Sequence, residues 1–132
     1  SINQLGLPLY VHYQKSGDKV LTSTKNAFRI AWPVLCKLAS ISGVDTIHTG
    51  MWGGYLSDDE NELRRTMRML SSNNTVPALS CGMTAELIPE VTRRFGVDYM
   101  ANVGGAIHEH PDGLAAGAKR LREAIDASAI KG

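Results

Sequence analysis

The sequence predicts an α/β protein with parallel strands, because short strand patterns alternate with longer helical patterns along its 132 residues. Four strand–helix units can be counted, with strands that start near residues 8, 45, 76 and 98. Strands that are connected by helices in this way run parallel, through right-handed crossovers. No linker, internal repeat or low-complexity segment interrupts the alternation. We therefore expect residues 1–132 to form a single unit.

Each predicted strand is short and rich in residues that favour extended structure, such as the Val and Tyr residues of PLYVHY. Polar stretches that contain glycine separate the elements, and two of them are predicted to be loops, at residues 14–26 and 50–56. The predicted strands are residues 8–13, 45–49, 76–80 and 98–103.

Apolar residues at helical spacing mark the helix that follows each strand. The first helix is expected over residues 31–42, with Pro33 in its first turn. A capping box of Ser57 and Glu60 opens the second, Thr84 caps the third, and Gly96 ends the third. The side chains expected on the buried faces are Val34, Leu35, Leu38 and Ile41 in the first helix, Leu63, Met67 and Leu70 in the second, Ile88, Val91 and Phe95 in the third, and Leu114, Ala118, Leu121 and Ile125 in the last.

The composition is that of an ordinary globular protein and argues against several classes of partner. Charged residues make up 20% of the chain and the net charge is +1. The sequence also contains no Lys/Arg block that could neutralise the phosphates of a nucleic acid. Cys36 and Cys81 form no CxxC motif and are too few for a disulfide framework, which favours the reducing cytoplasm. No apolar run reaches the length of a membrane span. Neither nucleic acid nor membrane is therefore an expected partner.

Residues 98–111, DYMANVGGAIHEHP, are the most informative stretch of the sequence. A predicted strand runs into the paired glycines Gly104 and Gly105, which are followed by His108, His110 and a long Ala-rich helix. Paired glycines after a strand let backbone N–H groups approach an anion closely, because a Cβ atom would block that approach. An ordinary turn has the same pattern, so an anion site and a simple turn both remain open.

Polar residues lie near the carboxyl ends of all four predicted strands. They are His12, His48, Ser80 and Asn102. The active face of a (β/α)₈ barrel lies at this edge, and so does the ligand crevice of an open α/β sheet. A complete barrel needs about 250 residues, so four units make either half of a barrel or a small open sheet. The polar residues at the carboxyl ends of all four strands favour the half-barrel over the open sheet.

Three segments of the sequence resemble the large subunit of ribulose-1,5-bisphosphate carboxylase/oxygenase (RuBisCO) and its RuBisCO-like relatives. They are GVDTIHTGMWGG, VPALSCGM and NVGGAIHEHPDGLAAGAKRLREA. The resemblance covers nearly the whole chain, and it implies a single partial domain that holds strands 5–8, the C-terminal half, of a catalytic (β/α)₈ TIM barrel. It further implies a phosphorylated ketose as substrate, Mg²⁺ as cofactor and an enediolate intermediate.

The resemblance also implies what this chain lacks. In the family, the N-terminal half of the barrel carries the carbamylated lysine, the Asp and Glu metal ligands and a further catalytic lysine. No metal ligand is therefore assigned to this chain, and its expected partner is that N-terminal half, in a homodimer or a higher homo-oligomer.

The phosphate site is the first set of residues that the resemblance identifies. Ser80 and Gly82 match the strand-7 loop, which in the family holds the substrate hydroxyls and one phosphate. Gly104 and Gly105 match the strand-8 loop that completes that phosphate site.

Two histidines and a loop form the second set. His12 matches the strand-5 histidine near the enediolate oxygens, and His48 matches the strand-6 histidine near the other phosphate, so both are implied to be catalytic. The loop with Gly53, Gly54 and Tyr55 matches the mobile strand-6 loop. Its glycines suit either a lid that closes over the site or a flexible connection.

Three positions depart from the pattern of the carboxylases. Tyr13 stands where an arginine would clamp the second phosphate, and Ser16 stands near where a histidine would follow it. Tyr55 stands where the mobile loop should present a lysine, whose positive charge a tyrosine cannot supply at neutral pH. The pattern therefore resembles a RuBisCO-like protein more than a carboxylase.

Three functions are consistent with the sequence. The first is Mg²⁺-dependent enolisation or isomerisation of a phosphorylated ketose in the complete barrel. The second is ribulose-1,5-bisphosphate carboxylation, and the third is a half-barrel that binds phosphate without turnover.

Overall fold

The computed structural model describes residue 6 and residues 8–129. Four strands and six helices follow one another in these parts of the chain. The strands are β1 (His12–Tyr13), β2 (Thr46–Gly50), β3 (Val76–Leu79) and β4 (Met100–Ala101). The helices are α1 (Lys19–Thr22), α2 (Trp32–Ile41), α3 (Glu60–Ser72), α4 (Ile88–Phe95), α5 (Gly104–His108) and α6 (Leu114–Ala129).

The four strands form one parallel sheet in the order β1-β2-β3-β4. His12 pairs with Thr46, His48 with Ala78, and Ala78 with Met100. The predicted α/β alternation with parallel strands is thus confirmed. The two outer strands, β1 and β4, are shorter than expected, since each has only two paired residues.

A predicted loop and a predicted turn contain helices instead. The segment 14–26 includes α1. The hydroxyl of Thr22, its last residue, donates a hydrogen bond of 2.7 Å to the carboxylate of Asp18, which directly precedes the helix. Gly104 and Gly105 begin α5 rather than forming a left-handed turn, and neither has a positive φ. The chain turns helical there because the N–H of Ile107 donates to the Val103 carbonyl at 3.2 Å.

Helices α3 and α4 bury the faces that the sequence predicts. Leu63, Met67 and Leu70 are buried in α3, as are Ile88 and Val91 in α4. All of these side chains except Leu70 join Leu79, Met83 and Leu121 in the main apolar core, against which Phe95 packs. Leu70 packs instead in a second cluster with Cys36 and Ile47. The core therefore lies between the sheet and these helices, and it fixes the ends of β2 and β3.

Helix α2 lies where the sequence predicts it, with Pro33 in its first turn, but the face expected to be buried was wrong. Its buried residues are Cys36 and Ser40, whereas Val34, Leu38 and Ile41 are 49%, 54% and 66% exposed. The small Ser40 side chain faces the sheet because its hydroxyl is bonded at 2.8 Å to that of Thr75.

In α6 the buried face is formed by Gly117 and Leu121, while Leu114 and Ala118 are exposed and Ile125 is half-buried. A Cβ atom at Gly117 would lie 2.9 Å from the carbonyl oxygen of Ile107. The missing side chain thus lets α6 approach α5, which a count of apolar residues does not reveal.

The caps of α3 and α4 also differ from expectation. Asp59, not Ser57, caps α3, because its carboxylate accepts the N–H of Glu62 at 2.9 Å. Thr84 lies in a turn before α4, where its carbonyl accepts the N–H groups of Leu87 and Ile88. Gly96 ends α4 with φ of 89°, as predicted.

None of the helices in the described part of the chain has the length and apolar character needed to cross a membrane.

Candidate functional site

A continuous chain of hydrogen-bonded polar side chains crosses β1, β2 and β3. His12 Nδ1 lies 2.8 Å from the Thr46 hydroxyl, and His12 Nε2 lies 3.0 Å from Oε1 of Gln14. Gln14 Nε2 lies 3.3 Å from Nδ1 of His48, and His48 Nε2 lies 2.6 Å from the Ser80 hydroxyl. The sequence predicted that His12, His48 and Ser80 would lie at one edge, and the chain of bonds connects them.

Gln14 and Thr46 are the members of this chain that sequence reasoning missed. Gln14 lies just after β1, in a segment predicted to be a loop, and Thr46 is the first residue of β2. The register that pairs His12 with Thr46 brings their side chains together. From the sequence, Thr46 could have been identified as a partner of His12 only if that register had been known.

His48 is buried and neutral. Its side chain is 5% exposed, and both of its ring nitrogens have partners. Burial lowers the pKa of His48 below its ordinary value of 6.5, and electrostatic repulsion from Lys15 and His12 lowers it further. The imidazole is therefore uncharged near pH 7.

The turn after β3 places two consecutive residues in the left-handed region. Cys81 has φ of 79° and Gly82 has φ of 106°. A non-glycine residue in this region is uncommon and marks a backbone that its surroundings hold in place. Here the Cys81 thiol lies 3.7 Å from the Ser80 hydroxyl.

The loop with Gly53, Gly54 and Tyr55, for which a lid and a flexible connection were both open, lies directly on this turn. A Cβ atom at Gly54 would be 2.2 Å from the Cys81 carbonyl oxygen, and one at Gly82 would be 2.7 Å from the Tyr55 nitrogen. Both glycines are therefore required for close approach of two backbones. The Cβ side of Gly82 consequently faces the loop and not open solvent.

Hydrogen bonds close the base of this loop. The N–H of Met51 donates to the Asp58 carboxylate at 3.0 Å, and the N–H of Asp58 donates to the Met51 carbonyl at 2.8 Å. The Arg94 guanidinium lies 4.1 Å from the centre of the Trp52 ring, within the range of a cation–π contact. The loop is thus anchored at its base and at Trp52.

Tyr55 lies at the outer end of the loop and is 79% exposed. Electrostatic repulsion from the neighbouring Cys81 side chain, followed by desolvation, raises the pKa of Tyr55 above its ordinary value of 10.0. The phenol is therefore neutral at physiological pH and carries no charge of either sign.

Gly104 and Gly105 lie at the same edge of the sheet as Ser80. The N–H of Asn102 donates to the Leu79 carbonyl at 2.9 Å, so the ends of β3 and β4 are joined. A Cβ atom at either glycine would meet nothing within 4 Å. The space beside the start of α5 is therefore open.

The remaining predicted positions lie apart from this chain of bonds. The ring of Tyr13 packs at 6.3 Å from that of Trp32. His110 accepts the N–H of Asp112 on its Nδ1 atom at 3.2 Å. Within residue 6 and residues 8–129, no three His, Cys, Asp or Glu side chains converge in a way that could hold a metal ion.

Comparison with known proteins identifies the family. Residues 3–132 match the model of the ribulose bisphosphate carboxylase large chain, catalytic domain. A ribulose bisphosphate carboxylase from Pyrococcus furiosus is 42% identical over 71% of this chain and 24% of its own length. A 2,3-diketo-5-methylthiopentyl-1-phosphate enolase from Geobacillus kaustophilus is 29% identical over 94% of this chain and 31% of its own length.

A solved structure gives the same result for the fold. The crystal structure of octameric ribulose-1,5-bisphosphate carboxylase/oxygenase in complex with sulfate ion, from Pyrococcus horikoshii OT3, superposes with a TM-score of 0.87 at 36% identity. It covers 98% of this chain, and the chain spans 31% of that protein. The predicted fold, the C-terminal half of a (β/α)₈ TIM barrel, is confirmed, and the chain belongs to the ribulose bisphosphate carboxylase large-chain family.

Proposed function

We propose that this chain supplies the phosphate anchor and the histidines of a RuBisCO-like enolase or isomerase, which acts on a phosphorylated ketose in a complete barrel. The observation that carries the proposal is Tyr55, which stands where the carboxylases present a lysine. Its phenol is neutral at physiological pH, because its pKa is raised above 10.0. A neutral side chain cannot stabilise the negative charge that develops on a carboxylated intermediate.

The phosphate anchor comprises Ser80 and Gly82 after β3, and Gly104 and Gly105 at the start of α5. Loops after the last two strands, with a short extra helix, are the recurring phosphate site of this barrel architecture. Two features support the anchor: the start of α5 is open, and the Ser80 hydroxyl lies at the same edge. Binding a non-reacting phosphate orients the reacting carbons.

The opposite end of the site favours a substrate with one phosphate. Tyr13 offers no charged, bidentate hydrogen bonds of the kind that an arginine gives. His48 is neutral, and both of its nitrogens are already occupied. A second phosphate would therefore find no cation among Tyr13 and His48.

Enolisation needs a base near an acidic carbon and a means of stabilising the oxyanion that forms. His12 is the exposed histidine of the hydrogen-bonded chain and lies where the family places a histidine near the enediolate oxygens. Mg²⁺, when bound through ligands of the N-terminal half, would supply Lewis-acid stabilisation of that oxyanion. This chain would hold the phosphate and orient the substrate toward it.

Carboxylation of ribulose bisphosphate is the second candidate, because sequence identity favours it. The chain is more similar to the Pyrococcus furiosus carboxylase, at 42%, than to the Geobacillus kaustophilus enolase, at 29%. A non-catalytic, phosphate-binding half-barrel is the third.

We further propose that residues 1–132 are one partial domain whose partner is the N-terminal half of the barrel, in a cytoplasmic homo-oligomer. The octameric state of the Pyrococcus horikoshii protein supports the oligomer. The free thiols of Cys36 and Cys81 are compatible with a reducing compartment.

Incorporation of radiolabelled bicarbonate by the complete protein separates the two enzymatic candidates. With Mg²⁺ and ribulose bisphosphate we expect no labelled acid-stable product, because Tyr55 lacks the positive charge. A Tyr55→Lys variant tests whether the charge alone is missing, and Tyr55→Phe is its neutral control. Clear labelled product from the unmodified protein would refute the RuBisCO-like proposal in favour of carboxylation.

A further inference from the structure

The side chain of Gln14 lies between the two histidines of the site and bonds to both. Its amide oxygen lies 3.0 Å from Nε2 of His12, and its amide nitrogen lies 3.3 Å from Nδ1 of His48. An amide has a donor end and an acceptor end, so the two histidines face groups of opposite kind.

We infer that Gln14 is a positioning residue that holds His48 in the neutral form protonated on Nε2, and so turns the Ser80 hydroxyl proton toward the substrate. This role deepens the proposed function, since it concerns the side chain assigned there to the phosphate anchor.

The first step is the protonation state of His48. The amide nitrogen of Gln14 can only donate, so Nδ1 of His48 must accept and cannot carry a proton. The remaining proton of a neutral imidazole then lies on Nε2, which faces the Ser80 hydroxyl at 2.6 Å. Burial of His48 favours the same neutral form, because the side chain is 5% exposed.

The second step is the direction of the Ser80 hydroxyl. A hydroxyl has one proton, and its oxygen accepts the N–H of His48. The Ser80 proton is thus free to point away from His48, toward the Cys81 sulfur at 3.7 Å or toward an anion beside the turn. If Nε2 of His48 lacked its proton, Ser80 would have to donate inward and would offer an anion only a lone pair.

The other end of the Gln14 amide, its oxygen, faces His12. The amide oxygen accepts from Nε2 of His12, and the Thr46 hydroxyl at 2.8 Å from Nδ1 can either donate or accept. The bonds of His12 therefore leave Nδ1 free to act as donor or acceptor, whereas those of His48 fix Nδ1 as an acceptor unless the amide reverses. One side chain thus gives the two histidines different roles.

The test is ¹⁵N NMR of the complete protein labelled only on histidine, in the wild type and in Gln14→Glu, with signals assigned by His48→Gln and His12→Gln variants. In the wild type we expect Nδ1 of His48 at the position of an unprotonated nitrogen and Nε2 at that of a protonated one. His110 is an internal reference, since its Nδ1 accepts a backbone N–H at 3.2 Å.

In Gln14→Glu, a carboxylate replaces the donor, so Nδ1 of His48 should become protonated while the signals of His110 stay unchanged. Gln14→Met, which keeps the length but has no donor, should let His48 take up its proton at a higher pH than in the wild type. A protonated Nδ1 of His48 in the wild type, or an unchanged His48 in both variants, would overturn the inference. The NMR result does not depend on substrate, so it stands or falls separately from the proposed enolase activity.

Discussion

The hydroxyl of Ser80 lies 2.6 Å from Nε2 of His48, which joins the turn after β3 to the middle of β2. The bond is part of a chain that ends at Thr46 and His12 on one side and at Cys81 on the other. Among the described residues, no buried side-chain nitrogen or oxygen lacks a partner. A polar network that is satisfied in this way holds its members in one arrangement, as a site for an anionic substrate requires.

The packing of the loop on the turn predicts that Gly54 tolerates no side chain. A methyl group there would lie 2.2 Å from the Cys81 carbonyl oxygen, so Gly54→Ala must push the loop away. We expect a loss of about 1–3 kcal/mol in the free energy of unfolding, as for other overpacked positions. Thermal unfolding of the complete protein measures it.

The matched control is Gly104→Ala, whose added methyl group meets nothing within 4 Å. Because Gly104 lies in α5, alanine should be neutral or stabilising by up to about 1 kcal/mol. Equal stability of Gly54→Ala and Gly104→Ala would show that the loop does not lie on the turn.

The lowered pKa of His48 predicts a loss of stability in mild acid. The unfolded histidine binds its proton near the ordinary pKa of 6.5, and the folded one binds it only at lower pH. Between these two values the unfolded state carries more protons, so stability falls as the pH drops below about 6.5. Lys15 and His12 favour this shift, and Asp58 and Asp18 oppose it.

The measurement is the midpoint of urea-induced unfolding of the complete protein from pH 7.5 to pH 5, in the wild type and in His48→Gln. The wild type should lose stability more steeply than the variant, because glutamine does not titrate. A wild type that follows the variant, or gains stability in acid, would contradict the buried neutral histidine.

The exposed apolar face of α2 and the two outer strands predict self-association of the 132-residue chain on its own. Val34, Leu38 and Ile41 are about half exposed or more, and β1 and β4 each have an unpaired edge within the described sheet. Analytical ultracentrifugation should show oligomers, which Leu38→Gln reduces more than the neighbouring Lys37→Gln does. A stable, cooperatively folding monomer would show that neither the exposed face of α2 nor the strand edges drive association.

Periodicity and composition were sufficient to predict the parallel sheet and the buried faces of α3 and α4. In these helices the apolar residues face the sheet, and no competing apolar face exists. In α2 the apolar face is exposed, while the small polar Ser40 is buried because it bonds Thr75. Hydropathy alone cannot distinguish an apolar face that covers this sheet from one that faces away from it.

The site was predicted only in part for a similar reason. His12 and His48 lie in strands and Ser80 directly follows one, and the strand order brings their side chains to one edge. Gln14 gave no signal, since a glutamine after a short strand is an ordinary surface residue until its neighbours are known. The contact of Gly82 with Tyr55 likewise depends on the path of a loop, which the spacing of glycines does not determine.

We propose that Ser80, Gly82, Gly104 and Gly105 form a single strong phosphate site. Gly105→Val should fill the space that the anion needs, and its Cβ atom meets no protein atom within 4 Å. We expect it to weaken phosphate-ester binding by about 2–4 kcal/mol, if charged hydrogen bonds of about 1.5–3 kcal/mol each are lost. Tyr13→Phe, at the opposite end of the site, should bind like the wild type.

Isothermal titration calorimetry of a ketose monophosphate with the complete barrel tests this claim most directly, for the wild type, Gly105→Val and Tyr13→Phe. The predicted result is tight binding by the wild type and Tyr13→Phe, and weak binding by Gly105→Val. If Gly105→Val instead binds like the wild type while Tyr13→Phe does not, the phosphate anchor lies at the other end of the site.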